Sequence, residues 1–471
     1  MNTKASFDVI VIGTGSAGFS AIEAAVKQGV SVCAIEQGVI GGECANFACI
    51  PSKSLLKTAS VYRTLQQARA FGIQVSAPSF DFGKLMSYRD SAVHAITGGG
   101  EKGDRYKQIF SELGVDVRYG KARFIDEHMI EINGENLYGK TIVIATGTVD
   151  VVPSIQDIDR VPYKRWSDAL NQKRQPKSMA IIGGGPVGCE LATFYASFGT
   201  RVVLLQQSSC VLNREDQEIS ALALECLKRN GVDVRLNAQI DSVIDSRGGV
   251  YGVRLRQEHG LEMIAVDQIV LAAGKRANVE GLNLDATSIV LEQNGSLKTT
   301  KDLRTTVSHI FSAGDVNGGM MFTHVAYRQG TIAGTNAAIA AKKKRLPLLT
   351  MNERVVPRVT FLASEVASVG MTSEIAKKEF KQILVGRCLL AGLGRAVTDH
   401  QRFGLMKLVI HPKTRKILGG HMIGERAGEV IHEVALAMHL NATVDKLAEM
   451  IHAFPTYSEA VVSAASNITK E

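Results

Sequence analysis

Aromatic residues are scarce in this chain, 6% with a single tryptophan, so it has little with which to stack on nucleobases. No run of about 18 uninterrupted apolar residues occurs, because the most apolar stretches are broken by Asn, His or Glu within two turns, and no membrane span is expected. No charged and apolar leader precedes the first strand-like run, Phe7 to Ile12, so nothing marks export and a cytoplasmic location is expected. The seven cysteines are an odd number scattered along the chain, unlike the framework of a small secreted domain and suited to a reducing cytoplasm. A disulfide in such a chain is expected to do redox chemistry. The net charge of +8 has one dense basic run, Lys342-Lys343-Lys344-Arg345, which a solvated helix end explains more simply than a nucleic-acid partner does.

What is present is length, glycine and repetition. The chain has 471 residues and 45 glycines, with an apolar content near the globular average, which indicates an α/β protein of two to four domains with many tight turns. One pattern occurs twice. FDVIVIGTGSAGFSAIEAAVKQGVSVCAIEQ runs from a buried strand through Gly13-x-Gly15-x-x-Gly18, along a helix of small residues, into a strand ending at Glu36. MAIIGGGPVGCELATFYASFGTRVVLLQQ repeats it through Gly183-x-Gly185-x-x-Gly188 to Gln206, and the offset from first glycine to last strand residue is 23 positions in both. A lone glycine turn of this kind often does no more than pack a helix on a strand. The complete unit recurring at matched spacing indicates two dinucleotides, each with its pyrophosphate on the positive end of a helix.

The acid at the end of the second strand hydrogen-bonds the adenosine ribose in such sites, a role open to Glu36 but open to Gln206 only as a neutral partner. An amide tolerates a 2′-phosphate that a carboxylate would repel, and Arg201 or Arg214 offers the positive charge. The second site therefore leans slightly to NADPH, with NADH also open. TIVIATGT at 141 to 148 and QIVLAAGK at 268 to 275 read as the closing strands of the two nucleotide domains. HIFSAGDV at 309 to 316 places Asp315 where a carboxylate can bond a ribityl or ribose hydroxyl, or simply cap a helix. Residues 346–471 alternate strand-like and amphipathic helical pieces without a glycine motif and read as a separate α+β domain.

Between these units lies GGECANFACIPSK, residues 41 to 53, with Cys44 and Cys49 five apart. Zinc is disfavoured, since no second Cys or His pair stands nearby at ligand spacing. A disulfide across five residues of ideal helix would span a rise of about 7.5 Å, beyond the roughly 6.8 Å Cα separation a bridge tolerates. The segment is therefore expected to be distorted or to sit at a helix start, where Pro51 suits the first turn and a thiol ionises readily.

This run resembles the redox-active signature of the flavoprotein disulfide reductases, the class I pyridine nucleotide-disulfide oxidoreductases that include dihydrolipoamide dehydrogenase, glutathione reductase and mercuric reductase. The resemblance extends through the Gly13 turn, the ATG-like strand end, the Gly183 turn, the motif ending at Asp315 and a C-terminal region similar to the family's dimerisation domain. The CIPSK ending is most similar to the dihydrolipoamide dehydrogenase branch. It implies FAD bound by 1–148 and 275–345, NAD(P)H bound by 149–274, and a homodimer formed through 346–471. It also implies an electron path from NAD(P)H through FAD to a Cys44–Cys49 disulfide. Cys49 takes the place of the charge-transfer thiol beside the flavin, Cys44 that of the interchange thiol, and Lys53 and Glu190 that of the ion pair near the flavin N5. The cofactor contacts carried over are Gly13, Gly15, Gly18, Glu36, Gly42, Lys53, Thr146, Gly147 and Asp315 for FAD, and Gly183, Gly185, Gly188, Gln206 and Gly274 for NAD(P)H.

The departure is at the C-terminal end. Disulfide-exchanging members carry a His-Pro-Thr run followed three residues on by Ser-Glu, and that His, from the other subunit, is the acid/base of thiol exchange. Here the run is Phe454-Pro455-Thr456, with Glu459 keeping the place of the catalytic acid. Phenylalanine carries no proton; His452 two residues earlier reads as structural, and Tyr457, with a usual pKa of about 10, is a poor base at neutral pH. Dithiol substrates such as dihydrolipoamide are expected to react poorly. The leading expectation is an NAD(P)H oxidoreductase with an untypical acceptor. A mercuric-ion or quinone reductase is the alternative, although the C-terminal cysteine pair usual in the mercuric branch has no counterpart after Cys388. A flavin-binding redox sensor without turnover is the third.

Overall fold

The computed structural model describes residues 5–100, 103–246, 248–258 and 260–471. The chain forms two compact units, one of residues 1–51, 87–151 and 274–352 and one of residues 52–86, 152–273 and 353–471.

In the first unit the run VIVI is hydrophobic on both sides, and all of Val9, Ile10, Val11 and Ile12 are buried, as a strand covered on both faces requires. Ala5–Ile12 lies at the centre of a sheet, parallel to Val32–Glu36 on one side and to Glu135–Ile144 on the other. Asp116–Tyr119 extends the first side in parallel. Ile310–Ser312 pairs in parallel with Glu135–Ile144, so the closing strand and the HIFSAGDV strand lie where the sequence suggests. An antiparallel ribbon, Met129–Ile132 and Arg123–Phe124, completes seven strands. Alternate side chains divide the core. Val9, Val11, Ala34 and Val143 meet the helices Ser16–Lys27 and Thr323–Ala341, while Ile10, Ile12, Ile35 and Ile142 meet Phe124, Leu137 and Leu297 on the other face. The two helices touch through small residues: a Cβ on Gly330 would stand 2.0 Å from the Ala17 carbonyl oxygen. Lys342 to Arg345 are exposed just beyond Ala341, so the basic run is the solvated end of a helix, where cations complement the dipole.

The second unit repeats the arrangement. Ser178–Ile182 is central, parallel to Arg201–Leu205 and to Gln268–Leu271, with Asp233–Arg235 and Lys164–Arg165 at the edges. A three-stranded antiparallel meander, Gln239–Asp245, Tyr251–Gln257 and Gly260–Val266, packs Val243, Val253 and Ile264 onto Ala180, Ile182 and Val203 of that sheet. Strands between residues 358 and 470 of the unit form a six-stranded antiparallel sheet in the order Arg358–Thr360, Glu365–Gly370, Ile417–Gly424, Leu405–Ile410, Leu384–Leu389, Ile468–Lys470. It has its own core, built on the helices Ala427–His439 and Glu459–Ser466. Inside the unit the fully buried Asp216 caps the helix Gln217–Arg229 and is ion-paired at 2.8 Å with Lys407, which is 2% exposed. Burial pushes the Asp216 carboxyl up, but His421, Lys407 and the Ser373 N–H outweigh it and hold the group below the usual carboxylate range.

Candidate active site

The first glycine turn begins where the central strand of the first unit ends. Gly13 has φ +94°, and a Cβ there would meet the Ala145 carbonyl oxygen at 2.4 Å. A Cβ on Gly18 would stand 1.8 Å from the Gly13 carbonyl oxygen, so the helix Ser16–Lys27 approaches the strand only because both positions lack side chains. Gly15 starts this 12-residue helix without a side-chain cap or a first-turn acid, leaving its N–H groups for an anionic ligand. Glu36 accepts hydrogen bonds from the Thr14 N–H (3.0 Å) and hydroxyl (2.6 Å) through one oxygen and from the Gly38 N–H (2.7 Å) through the other. Its carboxylate is thereby fixed at the turn. Asp315 follows the strand Ile310–Ser312; burial pushes its pKa up, Lys275 opposes the shift and Glu43 adds to it. A carboxylate deprived of water in this way is suited to accept from ligand hydroxyls. The Thr146 hydroxyl donates to the Asn278 carbonyl at 2.7 Å and keeps its oxygen able to accept, while Gly147 (φ +67°) has open space where a Cβ would be. The glycine cradle, the uncapped helix and the carboxylates Glu36 and Asp315 fit FAD.

Gly42 (φ +69°) places its Cα where a Cβ would lie 2.5 Å from Gly15 Cα, and the Gly41 N–H donates to the Thr14 carbonyl at 3.1 Å. The cysteine segment is thus docked on the first glycine turn. It is not one helix. Gly42–Asn46 is a short helix carrying Cys44; Phe47 and Ala48 break it, both of their N–H groups bonding the Glu43 carbonyl, and Cys49 opens the long helix Cys49–Gln67 with Pro51 in its first turn. This break is the expected distortion. It lets both sulfurs reach one hydroxyl: Thr323 donates to Cys44 Sγ at 3.1 Å, and Cys49 Sγ lies 3.6 Å from the same Oγ1. Glu43 beside Cys44 is ion-paired with Lys275. Elsewhere burial disfavours the thiolate form. Burial pushes Cys33 up to about 12 and also raises Cys189, Cys226 and Cys388.

The second glycine turn repeats the first. Gly183 has φ +118°, with a would-be Cβ 2.2 Å from the Ala272 carbonyl oxygen, and a Cβ on Gly188 would stand 1.9 Å from the Gly183 carbonyl oxygen. Gly185 precedes the helix Pro186–Ser197 with no side-chain cap. Gln206 mimics Glu36 in part: its Oε1 accepts from the Gly184 N–H at 2.8 Å, and its amide nitrogen donates to Ser208 and to the Cys210 carbonyl. These groups fit a pyridine dinucleotide. One expectation is corrected. Arg201 begins the strand that Leu205 ends, about 16 Å from Gln206 at strand rise, and it bonds the Ala265 carbonyl, so it cannot reach a 2′-phosphate there. Arg214 remains exposed two residues after Leu212, whose N–H bonds the Gly184 carbonyl at 2.9 Å. Gly274 belongs to the first unit, and its carbonyl accepts from the Val151 N–H.

Lys53 stands one turn after Cys49 on the same helix, and its Nζ meets both oxygens of Glu190, at 2.7 and 2.9 Å. Glu190 is 6% exposed on the helix Pro186–Ser197 and also accepts from the Phe361 N–H at 3.1 Å, while the ammonium lies 4.9 Å from the Phe361 ring centre. A buried carboxylate is tolerable only with such partners. At the C-terminal end, Phe454 is 79% exposed, with its ring beside Gly394. His452 is nearly buried, one ring nitrogen 2.8 Å from Glu433 Oε1 and the other 3.1 Å from the Met450 carbonyl, so neither is left to relay a proton. Tyr457 lies in the core of the six-stranded sheet; burial first, then Asp399 and Glu425, push its phenol further above the ordinary value. Glu459 accepts the Thr456 N–H at 2.9 Å. Sequence reasoning did not single out Thr323, Lys275, Asn278 or Phe361. A hydroxyl residue at a helix start reads as an ordinary cap, and pattern alone does not show that Thr323 faces the sulfurs.

Residues 7–330 match the family described as pyridine nucleotide-disulphide oxidoreductase, and residues 356–465 match that family's dimerisation domain. The chain belongs to this family of FAD- and pyridine-nucleotide-using flavoprotein disulfide reductases. Among its relatives, mercuric reductase of Staphylococcus aureus is 31% identical over 470 residues, 100% of this chain and 84% of the relative. Dihydrolipoyl dehydrogenase of Chlorobaculum tepidum is 34% identical over 469 residues, 98% and 97% of the two chains. A solved structure, the Cu(II) complex of the HOCl-induced flavoprotein disulfide reductase RclA from Escherichia coli, matches with a TM-score of 0.84 at 28% identity, over 99% of both chains.

Proposed function

We propose that this chain passes electron pairs from NAD(P)H to a redox-active Cys44–Cys49 disulfide, and from there to an acceptor that needs no proton donor at position 454. The observation that carries the reading is the convergence of both sulfurs on the Thr323 hydroxyl across a helix break. FAD, when bound, supplies the two-electron relay between nicotinamide and disulfide. In this reading Gly13, Gly15, Gly18 and Gly42 admit its pyrophosphate, Glu36 holds the adenosine ribose and Asp315 a ribityl hydroxyl. Gly147 leaves space beside the ligand, and Thr146 braces the same turn through Asn278. Gly183, Gly185, Gly188 and Gln206 hold the pyridine nucleotide, the neutral amide of Gln206 and the exposed Arg214 giving a lean to NADPH. Lys53 and Glu190 set a fixed ion pair one turn beyond Cys49. Residues 1–148 and 275–345 would serve FAD, 149–274 NAD(P)H, and 346–471 the contact between two copies of the chain.

The acceptor follows from the proton path. With Phe454 in place of a histidine, His452 bonded at both nitrogens and the Tyr457 phenol raised, this segment offers no ready acid/base group for thiol exchange. Disulfide exchange leans on such a partner, whereas electron transfer to a quinone or a metal ion does not. Anaerobic titration with NADPH and with NADH tests the relay: two protein thiols should appear per chain, with a long-wavelength thiolate-to-flavin absorbance. A flavin-loaded sample in which the flavin is reduced but the thiol count does not rise would refute it and favour a sensor. The mercuric reading is second, supported by the relatives of that name; mercuric-ion-dependent NADPH oxidation lost on Cys44→Ser would promote it.

A further inference from the structure

We propose that Thr323 is a catalytic residue of the thiol centre, its hydroxyl donating to whichever of the two sulfurs carries the negative charge. The inference rests on the relay proposed above. Opening the disulfide consumes the two electrons and one proton that NAD(P)H delivers as a hydride equivalent: the S–S bond breaks, one sulfur leaves as a thiol and the other as a thiolate, and NAD(P)⁺ is released. A hydrogen bond to an ionised group is about twice as strong as one between neutral groups, so a donor placed here acts mainly on the reduced, charged state.

Three features make Thr323 that donor. Its Oγ1 is 3.1 Å from Cys44 Sγ and 3.6 Å from Cys49 Sγ, so rotation of the O–H about the Cβ–Oγ bond serves either sulfur without moving a heavy atom. Its β-branched side chain is stiff at χ1, which holds the oxygen in place. It is also the first residue of the 19-residue helix Thr323–Ala341, whose N-terminus carries no side-chain cap and no first-turn acid. The hydroxyl is thus not spent on capping its own helix. Several charged and titratable groups near the pair have interactions of their own. Glu43 and Lys275 are ion-paired, the Tyr106 phenol of the helix Asp104–Glu112 is pushed up by burial and by Cys44, burial pushes the Asp315 carboxyl up, and Lys53 is ion-paired with Glu190. His324 stacks on Phe322.

The test compares Thr323→Val, which keeps the shape and removes the O–H, with Thr323→Ser, which keeps the O–H, and uses Thr323→Ala should the valine variant fail to fold. Each flavin-loaded variant is reduced with dithiothreitol, and the iodoacetamide alkylation rate of Cys44 and Cys49 is followed from pH 5 to 9. Loss of a charge-assisted bond should lower the thiolate-to-thiol ratio about ten- to hundredfold and move the alkylation midpoint up by about one to two units, with serine restoring it. A wild-type midpoint in the valine or alanine variant overturns the proposal. Because dithiothreitol replaces NAD(P)H, a failed relay is recognised separately, by a wild-type thiol count that does not rise on NAD(P)H addition.

Discussion

Restoring a histidine at position 454 tests the account of the acceptor most directly. The Phe454 ring is 79% exposed and a Cβ on Gly394 would approach it no closer than 3.3 Å, so an imidazole fits without repacking a core. An oxygen of Glu459 already takes the Thr456 N–H two residues further on, which fixes a carboxylate close to the new ring in sequence. General acid/base catalysis is worth about 10² to 10⁴ in rate, or about 3–5 kcal/mol of barrier at 1.36 kcal/mol per decade. In the natural chain nothing on this segment supplies it. Both nitrogens of His452 are bonded, and a phenol whose pKa exceeds the usual value of about 10 is ionised in fewer than about one molecule in a thousand at neutral pH. Steady-state oxidation of dihydrolipoamide, read as kcat/KM from pH 5.5 to 9, should therefore rise at least about a hundredfold in Phe454→His. It should also acquire a titration near the ordinary imidazole value of about 6.5. Thiol release by NAD(P)H should be unchanged, since the electron path does not pass through this residue. Wild-type turnover of dihydrolipoamide equal to that of the histidine variant would refute the reasoning from Phe454.

Gly188→Ala places a Cβ 1.9 Å from the Gly183 carbonyl oxygen, so the variant should retain FAD by absorbance while NAD(P)H no longer reduces it in stopped-flow experiments. Gln206→Glu should shift the ratio of kcat/KM values toward NADH by about tenfold or more, because a carboxylate repels the 2′-phosphate; an unchanged ratio would show that Gln206 does not face the ribose. Lys407→Met leaves the fully buried Asp216 without its ammonium and should destabilise the protein by about 3–5 kcal/mol at pH 7 in thermal or urea unfolding. Asp216 has a depressed folded pKa, so the stability it contributes in the wild type is complete above its unfolded value of about 3.9 and is lost as pH falls through the folded one. The gap between wild type and Lys407→Met should accordingly begin to close only as pH falls below about 3.9, and a gap unchanged well below that pH would contradict the assignment.

Much of the architecture was legible because it is local. The VIVI and MAII runs are buried on both faces, the glycines follow at fixed offsets, and Ala-Thr-Gly and Ala-Ala-Gly follow the closing strands, so two dinucleotide-binding units follow from pattern and spacing. The antiparallel meander of 239–266 and the strands Leu384–Leu389 and Ile468–Lys470 were not legible. Their pairing is long-range, as when the last residues of the chain bond to Leu384 and Val385, and propensity does not encode a partner that distant in sequence. Arg201 shows the same limit at the level of a single side chain. Its charge and its place near Gln206 in sequence suggested phosphate binding, but the extended strand carries the two residues to opposite ends.

The sequence by itself determined the two dinucleotide turns, the cysteine pair and the missing histidine, because each is a matter of which atoms exist at a given position: no Cβ at Gly18 or Gly188, a sulfur at 44 and 49, no ring nitrogen at 454. Tertiary structure alone decided how those atoms meet. The break at Phe47 and Ala48 resolves a spacing too long for a straight helix, and a helix starting some 270 residues later brings the Thr323 hydroxyl to both sulfurs. Such a contact depends on where two distant segments dock, which close packing of the whole core fixes and no short stretch of sequence can.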